Sequence, residues 1–225
     1  MSSDRPWLIL HRASASTARF DRGLTSEADR LEMDVWLEND RAVCRHDPLF
    51  RPGWWFLTNW HGLPRPRLRR LWLDALPAPG RTFLDFKDPR QESVAATLAA
   101  LRSTGSLEGA SASTPIWGHL DRLAGLAPEV GRFYSIGRGE RGTRAWDAYR
   151  VRVADSRGGH GVSIHHQTAT AERLAQIQNW GLRAICYTVN DFDQGVALLD
   201  LGAGGLTSDR LDLIARWRVW LESRG

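Results

Sequence analysis

Along this chain the spacing of apolar positions switches repeatedly between the strand period of two and the helical period of about 3.6. Trp7-Leu-Ile-Leu10 is a short apolar run, and Leu31-Glu-Met-Asp-Val-Trp-Leu37 has apolar residues at alternate positions, as a half-buried strand does. Ala42-Val-Cys-Arg45 reads as an extended return. Leu68, Leu71, Trp72 and Ala75 form a helical stripe over Arg67 to Leu76, which Pro77-Ala-Pro-Gly80 ends. Thr82-Phe-Leu-Asp-Phe86 is again a strand pattern.

The second half keeps the rhythm. Helices are expected at Gln91 to Ser103, Ile116 to Leu126, Thr143 to Ala154, Ala171 to Trp180, Asp191 to Leu201 and from Arg210 onward. Strands are expected near Ala110 to Ser113, Arg132 to Ile136, Gly161 to His165, Ala184 to Thr188 and Gly204 to Thr207. Leaving out the return, this makes eight strands, and their regular separation by helices argues for a parallel sheet. His11, Asp34, Lys87, Ser113, His165, Asn190 and Asp209 all fall at or just past the C-terminal end of a strand. In a closed barrel those ends form one rim, so the expected fold is a single (β/α)8 TIM barrel domain over residues 1–225.

Composition adjusts this picture only slightly. The 225 residues are 42% hydrophobic and 25% charged, ordinary values for a globular domain. The net charge of +4 is spread along the chain, so nucleic acid is not an expected partner. Cys44 and Cys186 suit no disulfide framework and read as small buried residues. Only four apolar residues precede His11, and no stretch approaches a membrane span, so the chain is expected to be cytoplasmic. One imbalance matters more. Of 30 basic residues 29 are arginine, and the single lysine is Lys87. A compact ammonium differs from a guanidinium fork as a partner for phosphate, which singles out Lys87 before any motif does.

The candidate chemistry starts with Glu32-Met-Asp34, where two carboxylates two residues apart on a strand share a face. Leu31, Met33 and Val35 occupy the other face, so in a barrel the acids line the interior near its mouth. Oxygen ligands in such a place select one hard divalent cation, Mg2+ or Ca2+. Asp85-Phe-Lys87 repeats the geometry on the third strand, with a further carboxylate for the metal and an ammonium for phosphate oxygens. The alternative is a surface ion pair. His11 follows the first strand and His46-Asp47 the return after the second, and two imidazoles beside an acidic strand suit acid and base roles in phosphodiester cleavage.

Together, His11-Arg12, Glu32-x-Asp34, His46-Asp47, Asp85-x-Lys87, Tyr187-Thr-Val-Asn190 and Gly205-Leu-Thr-Ser-Asp209 resemble, in order, the motifs of the glycerophosphodiester phosphodiesterase family. The resemblance spans nearly the whole chain. It implies a metal-dependent barrel enzyme that hydrolyses a glycerophosphodiester to glycerol 3-phosphate and an alcohol. Glu32, Asp34 and Asp85 would be the metal ligands, and His11 and His46 the acid and base. Arg12 and Lys87 would hold phosphate, with Tyr187 and Asn190 at the substrate. Four departures stand out: Ala13 replaces the usual glycine, the Glu-Asn-Thr segment is missing, Asp85 replaces a glutamate, and Pro48 to Pro66 is short for the inserted subdomain of many members.

The third-strand Asp-x-Lys and the short insertion are also similar to sphingomyelinase D type phospholipases, which release cyclic phosphates. A binding protein on the same barrel is the non-enzymatic alternative. The aromatic stretch around Trp54 and Trp55 is expected either to cover an apolar group of a small-molecule or lysophospholipid substrate, to rest on a membrane surface, or to pack across the rim. His165 and His166, adjacent on a strand, are expected to face opposite ways, so that at most one enters the mouth. His61, His119 and His160 are given no role.

Overall fold

The computed structural model describes residues 5–45, 71–75, 79–105, 107–155 and 161–224. His46, Trp54, Trp55, His61 and His160 lie outside the described residues, as does the basic run from Arg65 to Arg70.

Eight parallel strands close into a ring: β1 (Trp7–Leu10), β2 (Arg30–Glu38), β5 (Thr82–Phe86), β6 (Ser111–Thr114), β7 (Gly131–Ile136), β8 (Gly161–His165), β9 (Arg183–Tyr187) and β10 (Gly205–Ser208). Two pairings complete the circle. Leu10 pairs with Leu31 on β2, and Trp7 to Leu10 run beside Gly205 to Ser208 on β10. The other two strands, β3 (Arg41–Cys44) and β4 (Leu71–Trp72), extend β2 outward as an antiparallel flap. Helices α1 (Thr17–Leu24), α2 (Glu92–Thr104), α3 (Trp117–Leu126), α4 (Gly139–Asp155), α5 (Ala171–Asn179) and α6 (Phe192–Asp200) connect successive barrel strands, except between β2 and β5, and α7 (Leu211–Glu222) follows β10. The expected (β/α)8 barrel is therefore present.

One expected element differs. Of the helix expected over Arg67 to Leu76, the described part is strand β4 followed by a single 3-10 turn at Leu73–Ala75. Val43 and Cys44 leave an open ladder edge that Trp72 and Leu71 satisfy, and that pairing outweighs a stripe of only four apolar positions.

Strand alternation sorts the side chains. Positions such as Leu8, Met33, Leu84, Ala112, Ile164 and Cys186 pack outward against the helices in one continuous apolar layer. Alternate positions point inward. Ile9, Phe83, Phe133 and Ile185, one from every second barrel strand, form a separate interior plug with Trp7 packed against it, the arrangement expected for a filled eight-stranded barrel. Below the plug, the Trp7 ring lies between the guanidinium groups of Arg30 and Arg183, each 4.5 Å from its centroid. Above it, the inward positions change character to Glu32, Ser113, Ser163 and Thr207, all buried. Apolar packing thus closes one end, and the polar residues collect at the other.

Candidate active site at the C-terminal rim

The acidic pair falls where its spacing predicts. Glu32 and Asp34 point into the barrel and are 4% and 2% exposed, and Asp34 stands in register with Asp85 on β5. Oxygens of Glu32, Asp34 and Asp85 lie within 4.8 Å of one another. Lys87, just past the end of β5, sets its ammonium 3.1 Å from Asp34 Oδ1 and in contact with Asp85 Oδ2.

The charge within this cluster does not balance. Three carboxylates face one ammonium, an excess of two negative charges. Burial, with Asp34 and Asp85 alongside, holds the Glu32 carboxyl well above its usual range. Burial also raises Asp85, against the pull of Lys87. Desolvation works against the Lys87 charge, but Asp85 and Asp34 outweigh it and lift the ammonium above its ordinary value. Asp34 Oδ1 and Asp85 Oδ1 are buried and accept no hydrogen bond, the first being only an ion-pair neighbour of Lys87. Unsatisfied buried carboxylate oxygens are costly. An all-oxygen set with two spare acceptors and a deficit of two positive charges fits one hard divalent cation.

Beside the acids, His11 and Arg12 leave β1. Arg12 adopts a left-handed backbone conformation (φ 49°), so its N–H donates to Glu32 Oε2 at 2.5 Å. Ala13 is buried at the start of a 3-10 turn. The Arg12 Nε is buried without a protein partner.

His11 Nδ1 lies 2.8 Å from Asp209 Oδ1, just past β10. The other Asp209 oxygen accepts from Asn190 Nδ2 at 2.8 Å, and Asn190 Oδ1 accepts from Asp209 N and Ser208 Oγ. The hydrogen bond to His11, followed by that from Asn190, keeps the Asp209 carboxyl below the usual range despite its burial. It is therefore charged at neutral pH, and His11 carries its proton on Nδ1, leaving Nε2 free.

Two members of this arrangement went unassigned on sequence grounds. Asp209 was visible as a strand-end acid, but its partner lies 198 residues away. Arg19 on α1 gave no signal. It donates from Nη2 to the carbonyls of His11 and Asp209, both at 2.8 Å, and from Nε to Arg12 O at 3.1 Å, clamping both rim loops. Tyr187, at the end of β9, donates to Ile136 O at 3.0 Å and lies 3.5 Å from Ser135 Oγ. Both ends of the Asn190 amide are engaged within the rim. Cys44 and Cys186 are free and buried, and burial pushes both thiols up to about 12.

No protein-family model and no curated protein matches the sequence. Solved structures do match. A phosphodiesterase of Oleispira antarctica in complex with the product sn-glycerol-3-phosphate superposes with a TM-score of 0.71 at 18% identity, over 95% of this chain and 97% of that one. This barrel has the same fold. Glycerophosphodiester phosphodiesterases from Parabacteroides distasonis and Thermotoga maritima each give a TM-score of 0.71 at 16% identity, covering 98% and 95% of this chain and 98% and 99% of theirs. Identities this low establish the barrel and its topology, and the chemistry rests on the rim itself. Among the described residues no helix is long and apolar enough to cross a membrane.

Proposed function

We propose that this protein hydrolyses a glycerophosphodiester to sn-glycerol 3-phosphate and an alcohol. The observation that carries the reading is the rim constellation: a buried carboxylate triad two positive charges short, beside an imidazole held by a charged carboxylate. The same fold in a neighbour bound to sn-glycerol-3-phosphate supports it.

Glu32, Asp34 and Asp85 would hold Mg2+ or Ca2+, which when bound supplies Lewis-acid neutralisation of the phosphoryl oxygens. The chain's own groups do the rest. Arg12 and Lys87 would bind the phosphate oxygens and orient the diester. His11, with Nδ1–H fixed on Asp209, offers the Nε2 lone pair and would take a proton from the attacking water. His46 returns a proton to the departing alkoxide, so one diester and one water give one monoester and one alcohol. Asp209 stabilises the imidazolium formed at His11 without itself taking the proton.

Phosphorus NMR of the turnover of glycerophosphoglycerol, a diester with an uncharged alcohol half, tests this, with chelator and added-metal arms. Release of sn-glycerol 3-phosphate that stops in chelator is expected. A persistent cyclic phosphate would favour the cyclising reaction suggested by Asp85-x-Lys87, and no turnover with either ion would remove the hydrolytic reading.

A further inference from the structure

Around the ring, β8 is the fourth strand from β2 in either direction, so it stands opposite the acidic strand. With strands about 4.8 Å apart and tilted about 36°, opposite walls of an eight-stranded barrel are roughly 15 Å apart. A phosphate seated at Glu32, Asp34 and Lys87 therefore leaves the rest of a short diester pointing toward whatever β7 and β8 present. The inward positions between carry the small hydroxyl side chains of Ser113, Ser135 and Ser163, with the Tyr187 hydroxyl 3.5 Å from Ser135 Oγ.

The far wall carries His165, the last residue of β8, on the inward face with Gly161 and Ser163. The strand ends there, and His166 turns so that the two rings stack at 4.5 Å and 27° instead of facing opposite ways as adjacent strand residues would. Each ring has its Nδ1 occupied. Gln167 N–H donates to His165 Nδ1 at 3.2 Å, and Gln194 Nε2 donates to His166 Nδ1 at 3.0 Å. Both imidazoles therefore keep their proton on Nε2, as donors.

Arg138, two residues past β7, is the third donor. Its charge acts on His165, and among the described residues its guanidinium has no hydrogen bond or ion pair. Burial first, then His166 and Arg138, holds His165 below the usual imidazole range, and no carboxylate contributes. His166 is lowered by burial alone.

The wall is built rather than incidental. Gly139 has φ +64°, a conformation a side chain would disfavour, and a Cβ on Gly142 would meet Gly137 O at 2.1 Å. The same Gly137 carbonyl accepts from Thr168 Oγ1 at 2.8 Å, and Thr168 N donates to His165 O at 2.7 Å. The loops after β7 and β8 are thereby tied into one unit.

We infer that Arg138, His165 and His166 form a subsite for a second anionic group, a carboxylate carried on the alcohol half of the phosphodiester substrate. An arginine just past the end of β7 and two Nε2–H imidazoles at the end of β8 suit an anion, whereas a cationic head group such as choline would meet the like charge of Arg138. The inference rests on the proposed hydrolysis and deepens it by naming the substrate class.

Glycerophosphoserine and glycerophosphoethanolamine differ by a single carboxylate and form the test pair. The wild-type protein is expected to favour the serine diester in kcat/KM by about tenfold, one charge-assisted contact reduced by partial exposure. Arg138→Ala and His165→Gln should bring that ratio toward unity through KM of the serine diester, leaving the ethanolamine diester within about threefold. Arg138 is exposed, so its replacement leaves the fold intact. A wild-type ratio near or below one, or a ratio unchanged in both variants, overturns the subsite. If neither diester is cleaved, the hydrolytic reading fails, and calorimetric binding of the two compounds still decides the subsite. Tighter binding of the serine diester that Arg138→Ala abolishes sustains it, and equal affinities remove it.

Discussion

Replacing Glu32 with Gln should change the sign of its effect on stability when a divalent ion is added. Glu32 is buried beside Asp34 and Asp85, and its carboxyl is held well above its ordinary value of 4.5. In chelator at pH 7 the amide removes an ill-compensated buried acid while still accepting the Arg12 N–H, so the variant should be more stable than wild type by about 1–2 kcal/mol. With metal at about one hundred times its Kd, wild type gains about 2.7 kcal/mol by linkage. An unfolding entropy of about 2.1 cal/mol/K per residue, over a chain of this length, converts that to a Tm rise of roughly 6 °C. The variant, with one fewer anionic ligand, should show little of it. The pH dependence has a definite sign. Because the folded-state value is raised, metal-free wild type should lose stability as pH climbs from 4.5 through that raised value, and the variant should lack this slope. Calorimetric or fluorescence melts in chelator, Mg2+ and Ca2+ provide the measurement. An equal metal-induced rise in wild type and variant would refute the assignment of the triad.

Asp209→Asn should lower kcat about 10- to 100-fold with KM nearly unchanged, because His11 loses the carboxylate that sets its tautomer. Since the Asp209 pKa is depressed, the stability advantage of wild type over this variant should be full above about pH 4 and shrink as pH falls toward the depressed folded value; denaturant titrations showing a smaller advantage at pH 3 than at pH 7 check it. Arg19→Ala strips donors from the carbonyls of His11, Arg12 and Asp209 and should cost about 1–3 kcal/mol; an unchanged urea midpoint would argue against the clamp. Gly142→Ala drives a Cβ against Gly137 O and should destabilise by about 1–3 kcal/mol, read as a Tm fall of a few degrees.

Much of this molecule was legible before any coordinates. Gly161 to His165 is a strand with the expected bounds, and the parity of Glu32-x-Asp34 and Asp85-x-Lys87 put all four side chains on the inner face, because a period of two leaves no other choice once Met33 and Phe86 are committed outward. What stayed hidden depends on residues far apart in sequence or on where an element stops. Arg19 looks like any helix-surface arginine until β10 arrives beside it. The His165 and His166 rings share a side only because the strand ends between them. Leu71 and Trp72 fit a helical stripe and became a strand because the edge of β3 was open.

The bond from His11 to Asp209 joins the first strand of the barrel to the last, across 198 residues. Nearly the whole chain must therefore be synthesised and the ring shut before the reactive imidazole acquires its carboxylate. On the proposed function, a partly folded molecule that already has the acidic strands could hold a cation while still lacking the acid–base group that hydrolysis would need. If the proposed hydrolysis holds, activity would report on completed assembly: its recovery during refolding should lag behind recovery of helical signal by the time the final strand takes to dock.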